Sequence, residues 1–177
     1  MSNIKARVSM LSSDDVPEDI QIMYHTWEEK LGKIPEWAQV MAHKPKILKH
    51  FAGLMKATMG SEEVSEELKW TIAYHVSKIN ECEYCVKVTS KKLESMGMKE
   101  ELVDEVEKRV EEMEEKEMVA LKYAHITTKE AYKLPEEVFN NLKEYYNENQ
   151  IVEITAVVGL FNFINRFNDA LGVLPGV

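Results

Sequence analysis

The chain has 177 residues, 22 Lys and Arg against 31 Asp and Glu, and a formal net charge of −9. This acidic balance, without a basic stripe, argues against a nucleic-acid partner, because phosphate binding needs clustered Lys and Arg. The apolar stretches are far shorter than the roughly 20 residues that span a bilayer, so no membrane partner is expected. Two cysteines and an N-terminus without an apolar signal core favour a reducing, cytoplasmic compartment.

Helical patterns follow one another along the chain, and each proline stands beside an expected helix start or the chain end. We expect helices at about 13–30, 35–43, 45–59 and 66–79, the last capped by Ser65. The next runs from the cysteines to about residue 96, with Gly97 after its end. Amphipathic helices follow over 99–128, interrupted near 114–117, and then over 135–146 and 149–172. No linker divides the chain, so the prediction is one all-α domain.

The two cysteines, Cys82 and Cys85, form a C-x-x-C pair at an expected helix start. This spacing brings the sulfurs within bonding reach, and the unpaired N–H groups of a first helical turn stabilise a thiolate. The neighbouring charges are mixed, since Lys87 favours the thiolate while Glu81 and Glu83 oppose it. The pattern is therefore typical of a redox-active dithiol, without fixing how reactive it is.

Two other interpretations of the pair stay open. A structural zinc site needs four ligands, and the chain has neither a second C-x-x-C nor an H-x(3–5)-H pattern. The cysteines could also be structural or incidental, although a chain of this length buries enough surface to fold without a disulfide.

The surroundings of the pair resemble a known family. The segment VSKINECEYCVKVTSKKLESMG, residues 76–97, is similar to the signature of the carboxymuconolactone decarboxylase superfamily, in its alkylhydroperoxidase D-like branch. Two further segments agree, GKIPEWAQVMAHKPKILKHFAGLMKATMG at 32–60 and GLFNFINRFNDALGV at 159–173, the latter with Asn165-Arg166 where the branch has Asn-Arg. The resemblance thus extends over about 32–173, which leaves residues 1–31 as an N-terminal helical extension.

The resemblance implies an all-helical subunit that assembles into homo-trimers or hexamers. It also implies thiol-dependent reduction of organic or hydrogen peroxide, with Cys85 as the peroxide-attacking thiolate and Cys82 as the resolving cysteine. Electrons would come from a dithiol donor such as a lipoyl or thioredoxin-like protein. No metal and no cofactor other than the redox-active disulfide is implied.

The proton relay of the branch is missing from this sequence. Where the family has a Glu twelve residues before the first cysteine stands Trp70, and where it has a His four residues after the second stands Thr89. Neither an indole nor a threonine hydroxyl accepts a proton near neutral pH. Glu66 and Tyr74, one helical turn on either side of Trp70, are possible substitutes.

Other side chains near the motif have both a plain and a functional interpretation. His75 is the nearest histidine in sequence, and either packs in the core or joins a relay. Tyr84, between the cysteines, either packs or lines a substrate entrance. Arg166, in an otherwise apolar helix, makes either an ion pair or a contact to an anionic substrate.

The leading hypothesis is therefore a thiol-dependent antioxidant enzyme of alkylhydroperoxidase type. One alternative is a decarboxylase of the lactone-acting branch, although that branch does without the cysteine pair. The other is a dithiol protein without the relay, acting as a thiol–disulfide reductase or a redox sensor.

Overall fold

The structure is a computed structural model that describes residues 6–60, 63–98 and 113–175. Within these ranges it contains helices and turns and no strand, which confirms the predicted all-α fold. The α-helices, in chain order, are α1 (Glu18–Leu31), α2 (Glu36–Met41), α3 (Pro45–Met59), α4 (Glu66–Ile79), α5 (Glu83–Ser95), α6 (Glu115–Glu130), α7 (Glu136–Tyr145) and α8 (Glu148–Leu171). The predicted helical stretch over 99–112 lies outside the described residues.

Most predicted helix ends are confirmed, because they depend on local capping chemistry. Helix α3 begins at Pro45 and ends at Met59. Ser65 caps α4, its hydroxyl oxygen accepting a hydrogen bond from the backbone N–H of Leu68 at 3.2 Å. Gly97 follows α5 with a φ of 96°, which a glycine adopts without steric cost.

The start of α1 differs from the prediction. Residues Ser13–Asp15 form a separate 3-10 turn, and α1 begins only at Glu18. The carboxylate of Asp15 accepts hydrogen bonds from both the hydroxyl and the backbone N–H of Ser12, which closes the turn on itself. Val16 then takes an extended conformation because it precedes Pro17, and a residue before proline is disfavoured in the α region.

The chain forms two compact units. The first consists of residues 1–57 and 167–177. In its aromatic core the Trp37 ring meets those of Trp27 and Phe51 edge to face, at centroid distances of 5.6 and 5.4 Å. Its N-terminal segment is held by the backbone N–H of Arg7, which donates to the carbonyl of Leu171 at 2.8 Å. The prediction of a single domain stays a prediction.

The second unit, residues 58–166, contains both cysteines. Helix α4 packs against α5 and α6, and α6 packs against α7. The unit also holds an ion pair between the fully buried Lys69 of α4 and Glu153 of α8. None of the helices in the described ranges is long and apolar enough to cross a membrane.

Candidate dithiol site

The cysteine pair lies at the start of α5. Cys82 is the N-cap residue and Cys85 lies in the first turn. The residues are 0% and 3% exposed, and both sulfurs are thiols rather than a disulfide. A helix N-terminus favours negative charge, so this position suits a thiolate.

The turn before Cys82 is a Schellman motif that ends α4. The backbone N–H of Cys82 donates to the carbonyl of Ser77 at 3.1 Å, and that of Glu81 donates to Lys78 at 3.1 Å. Glu81 takes the left-handed conformation at the centre of this motif, with a φ of 57°. That position is usually glycine, and a side chain there costs about 1 kcal/mol. One helix therefore ends, and the next begins, within a single strained turn.

Sequence reasoning did not identify this strain. The predicted helix ends at residue 79, directly before the C-cap Asn80, but Glu81 was assigned only an electrostatic effect. Glutamate carries no signal for the left-handed region, which glycine and asparagine favour.

An amide network missed by sequence reasoning supports the turn. The side-chain amide of Asn80 donates to the Oδ1 atoms of Asn165, at 2.9 Å, and Asn162, at 3.2 Å. The amide of Asn165 donates to the hydroxyl of Ser77 at 3.1 Å, and that hydroxyl donates to the carbonyl of Ala73 at 2.7 Å. The only sequence signal was the asparagines themselves, one at the end of α4 and two within α8.

Trp70 fills its position by aromatic packing. Its ring meets Phe161 of α8 edge to face, with centroids 6.1 Å apart. Its indole N–H donates to Oε1 of Glu66 at 3.4 Å, and Nζ of Lys92 lies 5.8 Å from the ring centroid. These contacts give Trp70 a structural role on α4, and the indole supplies no proton acceptor.

Thr89 is fully buried on α5, and its hydroxyl donates to the carbonyl of Cys85 at 2.7 Å. The threonine thus bonds to the backbone of the cysteine helix itself. A hydroxyl with its proton committed to a carbonyl is a poor substitute for an imidazole as an acid or base.

Glu66 forms an ion pair with Lys92, whose Nζ lies 3.0 Å from its Oε1. The hydrogen bond from Lys92 is the main cause that lowers the pKa of Glu66 below its ordinary value. The carboxylate is therefore ionised at neutral pH, but it is a weaker base than an ordinary glutamate.

The remaining predicted candidates lie in packed positions on α4 and α5. The Tyr74 ring is buried, with Nζ of Lys78 5.9 Å from its centroid. His75 is buried and its ring centroid lies 5.5 Å from that of His125 on α6. Tyr84 is also buried. Their predicted roles at the site stay predictions.

Arg166 lies at an open groove of about 470 Å³ between the end of α6 and α8, lined among others by Thr128, Val158 and Phe163. Its Nη1 donates to the backbone carbonyl and to Oδ1 of Asn162, at 3.0 and 2.5 Å. Asn162 therefore joins this groove to the amide network. In the described parts of the chain, no group of three or more His, Cys, Asp or Glu side chains is placed to hold a metal ion.

Comparison with known proteins gives the same picture for the family and the fold. Residues 45–125 match the carboxymuconolactone decarboxylase family. An uncharacterised peroxidase-related protein from Silicibacter sp. TM1040 has a TM-score of 0.91 at 24% identity, covering 100% of this chain and 96% of its own. An alkylhydroperoxidase AhpD core protein from Ralstonia eutropha JMP134 has a TM-score of 0.87 at 22% identity, covering 99% and 94%.

A third similar structure is that of the debrominase Bmp8, solved as a cysteine-to-alanine variant in complex with 2,3,4-tribromopyrrole. It has a TM-score of 0.83 at 26% identity, covering 97% of this chain and 92% of Bmp8. The resemblance predicted from the sequence is thereby confirmed: residues 45–125 are similar to the carboxymuconolactone decarboxylase family, and the chain has the fold of the alkylhydroperoxidase AhpD core protein.

Proposed function

We propose that this protein is a thiol-dependent oxidoreductase that reduces organic or hydrogen peroxide through Cys82 and Cys85. The observation that carries the proposal is the position of the pair, buried at the N-terminus of α5 with Cys82 as the N-cap. A thiolate is stabilised there by the first-turn N–H groups, and its partner lies one helical turn away.

The proposed reaction balances in two steps. The Cys85 thiolate attacks the terminal oxygen of the peroxide, the O–O bond breaks, and the leaving alkoxide takes a proton to become an alcohol. The Cys82 thiol then attacks the sulfenic acid on Cys85, so that a disulfide forms and water leaves. A dithiol donor, such as a lipoyl or thioredoxin-like protein, reduces the disulfide by exchange and is itself oxidised.

The missing relay affects the rate of the first step. Trp70 and Thr89 offer no base, so the Cys85 proton must pass to water or, through water, to Glu66. General acid–base catalysis contributes about 10²–10⁴-fold. We therefore expect turnover roughly 10²-fold or more below that of family members that carry both relay residues.

The test is peroxide turnover with a dithiol donor, for the wild type, Cys85→Ser and Cys82→Ser. Cys85→Ser should consume no peroxide. Cys82→Ser should consume about one equivalent and then stop with a sulfenic acid on Cys85. The peroxidase proposal fails if the wild type consumes no peroxide with any dithiol donor, and retained reduction of a disulfide substrate would then indicate the thiol–disulfide reductase. Decarboxylation that survives both substitutions would favour the lactone-acting alternative.

A second candidate function follows from the similarity to Bmp8 over 97% of this chain. The same dithiol could remove bromine from a brominated pyrrole: the carbon–bromine bond breaks, carbon gains a hydrogen, and bromide leaves as the two thiols become a disulfide. Bromide release from 2,3,4-tribromopyrrole, lost in both cysteine variants, would support this function. Peroxide turnover without bromide release would reject it.

A further inference from the structure

We propose that Asn165 is a positioning residue for the dithiol. Its side-chain amide holds the turn between α4 and α5 so that Glu81 stays left-handed and Cys82 stays at the N-cap. This inference rests on one part of the proposed function, the formation of the Cys82–Cys85 disulfide. It does not depend on peroxide being the oxidant.

The amide of Asn165 bonds to two side chains of the turn, those of Ser77 and Asn80. Asn165 is fully buried on α8. Its Oδ1 accepts from the Asn80 amide at 2.9 Å, and its Nδ2 donates to the Ser77 hydroxyl at 3.1 Å. Asn80 is the C-cap of α4, and the carbonyl of Ser77 accepts the N–H of Cys82. One side chain thereby connects α8 to two positions, Ser77 and Asn80, of the turn that presents Cys82.

This turn needs support from outside its own backbone. A non-glycine residue with a φ of 57° is uncommon, and such strain persists where the surrounding structure over-determines it. The two backbone hydrogen bonds of the Schellman motif supply part of that constraint, and the Asn165 amide adds two bonds from a different helix. A leucine of similar size would pack α8 without desolvating an amide, so burying an asparagine here favours orientation over packing.

The consequence concerns ring closure of the disulfide. If the turn loosens, the Cys82 backbone samples more conformations in the dithiol form. Those conformations must be lost when the disulfide closes, so the effective concentration of one thiol relative to the other falls. Removing the Asn165 amide should therefore make the Cys82–Cys85 disulfide easier to reduce.

The experiment measures the equilibrium between the Cys82–Cys85 dithiol and glutathione by thiol alkylation and mass spectrometry, with unfolding in urea measured in parallel. For Asn165→Leu we expect the equilibrium to shift about tenfold toward the dithiol, which corresponds to about 30 mV for a two-electron couple. The control is Tyr146→Phe, which removes a buried hydrogen bond to the carbonyl of Lys116, 2.9 Å long, and should leave the equilibrium within twofold of the wild type.

A second variant keeps the test decisive. If Asn165→Leu does not fold, Asn80→Ala removes the hydrogen bond between Asn80 and Asn165 at the half-buried Asn80. We expect its dithiol–glutathione equilibrium to shift in the same direction, toward the dithiol.

The outcomes separate this inference from the proposed function. An equilibrium within twofold of the wild type in both Asn165→Leu and Asn80→Ala overturns the positioning role and leaves the dithiol chemistry intact. A wild type that forms no Cys82–Cys85 disulfide at any glutathione ratio overturns the proposed function as well.

Discussion

Glu81 holds a backbone conformation that glycine adopts at lower cost, and it does so directly before Cys82. We predict that Glu81→Gly raises the free energy of unfolding by about 1 kcal/mol, because the steric penalty at positive φ disappears. The matched control is Glu83→Gly, which removes the same charge from the other side of Cys82. It lies in the first turn of α5 and should lower stability by about 0.5–1 kcal/mol. Unfolding in urea measures both, and equal shifts would contradict the strain argument.

Glu66 is the predicted substitute for the missing relay glutamate, as the group that takes up the Cys85 proton. Its ion pair with Lys92 lowers its pKa. A carboxylate that accepts a proton must be ionised, so the acid limb of the pH–rate profile should lie below the ordinary glutamate range. Lys92→Met removes the stabilising partner, raises the pKa, and should move this limb to higher pH. Lys91→Met, at the exposed neighbouring position, should not move it. An unmoved limb in Lys92→Met would exclude Glu66 as the acceptor.

At the scale of helices, Lys69 and Glu153 connect α4 to α8 as an ion pair with little access to water. The Lys69 side chain is 0% exposed and that of Glu153 is 11% exposed. Glu153→Leu leaves a buried ammonium group without its carboxylate, and we predict a loss of about 3–5 kcal/mol in the free energy of unfolding.

The double variant Lys69→Met with Glu153→Leu tests the cause of that loss. Because no uncompensated charge remains, it should recover most of the stability lost in Glu153→Leu. A double variant as unstable as the sum of the single variants would show that the two charges do not depend on each other.

Helix ends illustrate how far the sequence predicts this fold. The start of α3 at Pro45 and the cap at Ser65 depend on residues within one turn, so the pattern alone identifies them. The predicted start of α1 was wrong, because the turn that Asp15 closes by hydrogen bonds to Ser12 competes with the helix. The role of Asn165 could not be predicted at all, since its partners lie more than 80 residues away in the chain.

The candidate site, like the helix ends, could be predicted only in part from the sequence. The motif placed Cys82 and Cys85 at a helix start, and it identified the missing relay at Trp70 and Thr89. What fills those positions depends on other helices, as the packing of Trp70 on Phe161 shows. Local spacing therefore predicts where the thiols lie, whereas tertiary contacts determine what surrounds them.

At the scale of the whole molecule, α8 carries small and apolar side chains on its exposed face. At helical spacing lie Val152, Ala156, Gly159 and Phe163, and Phe163 is 47% exposed. Exposed apolar stripes of this kind mark interaction surfaces. We propose that this face joins copies of the chain in the homo-trimer or hexamer that the resemblance implies.

We predict that Phe163→Glu lowers the mass of the assembly in solution, because desolvating a charge in an apolar interface costs free energy. Ile22→Glu on α1, at a position 63% exposed, makes the same change elsewhere and should leave the mass unaltered. Analytical ultracentrifugation measures both. A monomeric wild type would contradict the assembly.

The burial of both sulfurs also governs which molecules can react with them. A hydroperoxide is small enough to diffuse through brief side-chain fluctuations, whereas the active site of a folded donor needs the turn around Cys82 to open locally. The two half-reactions would then be limited by different events, oxidation by the chemistry of the sulfur and reduction by the frequency of that opening. We therefore expect the oxidised protein to accumulate during turnover whenever the donor is a folded protein, and a free dithiol to relieve the delay.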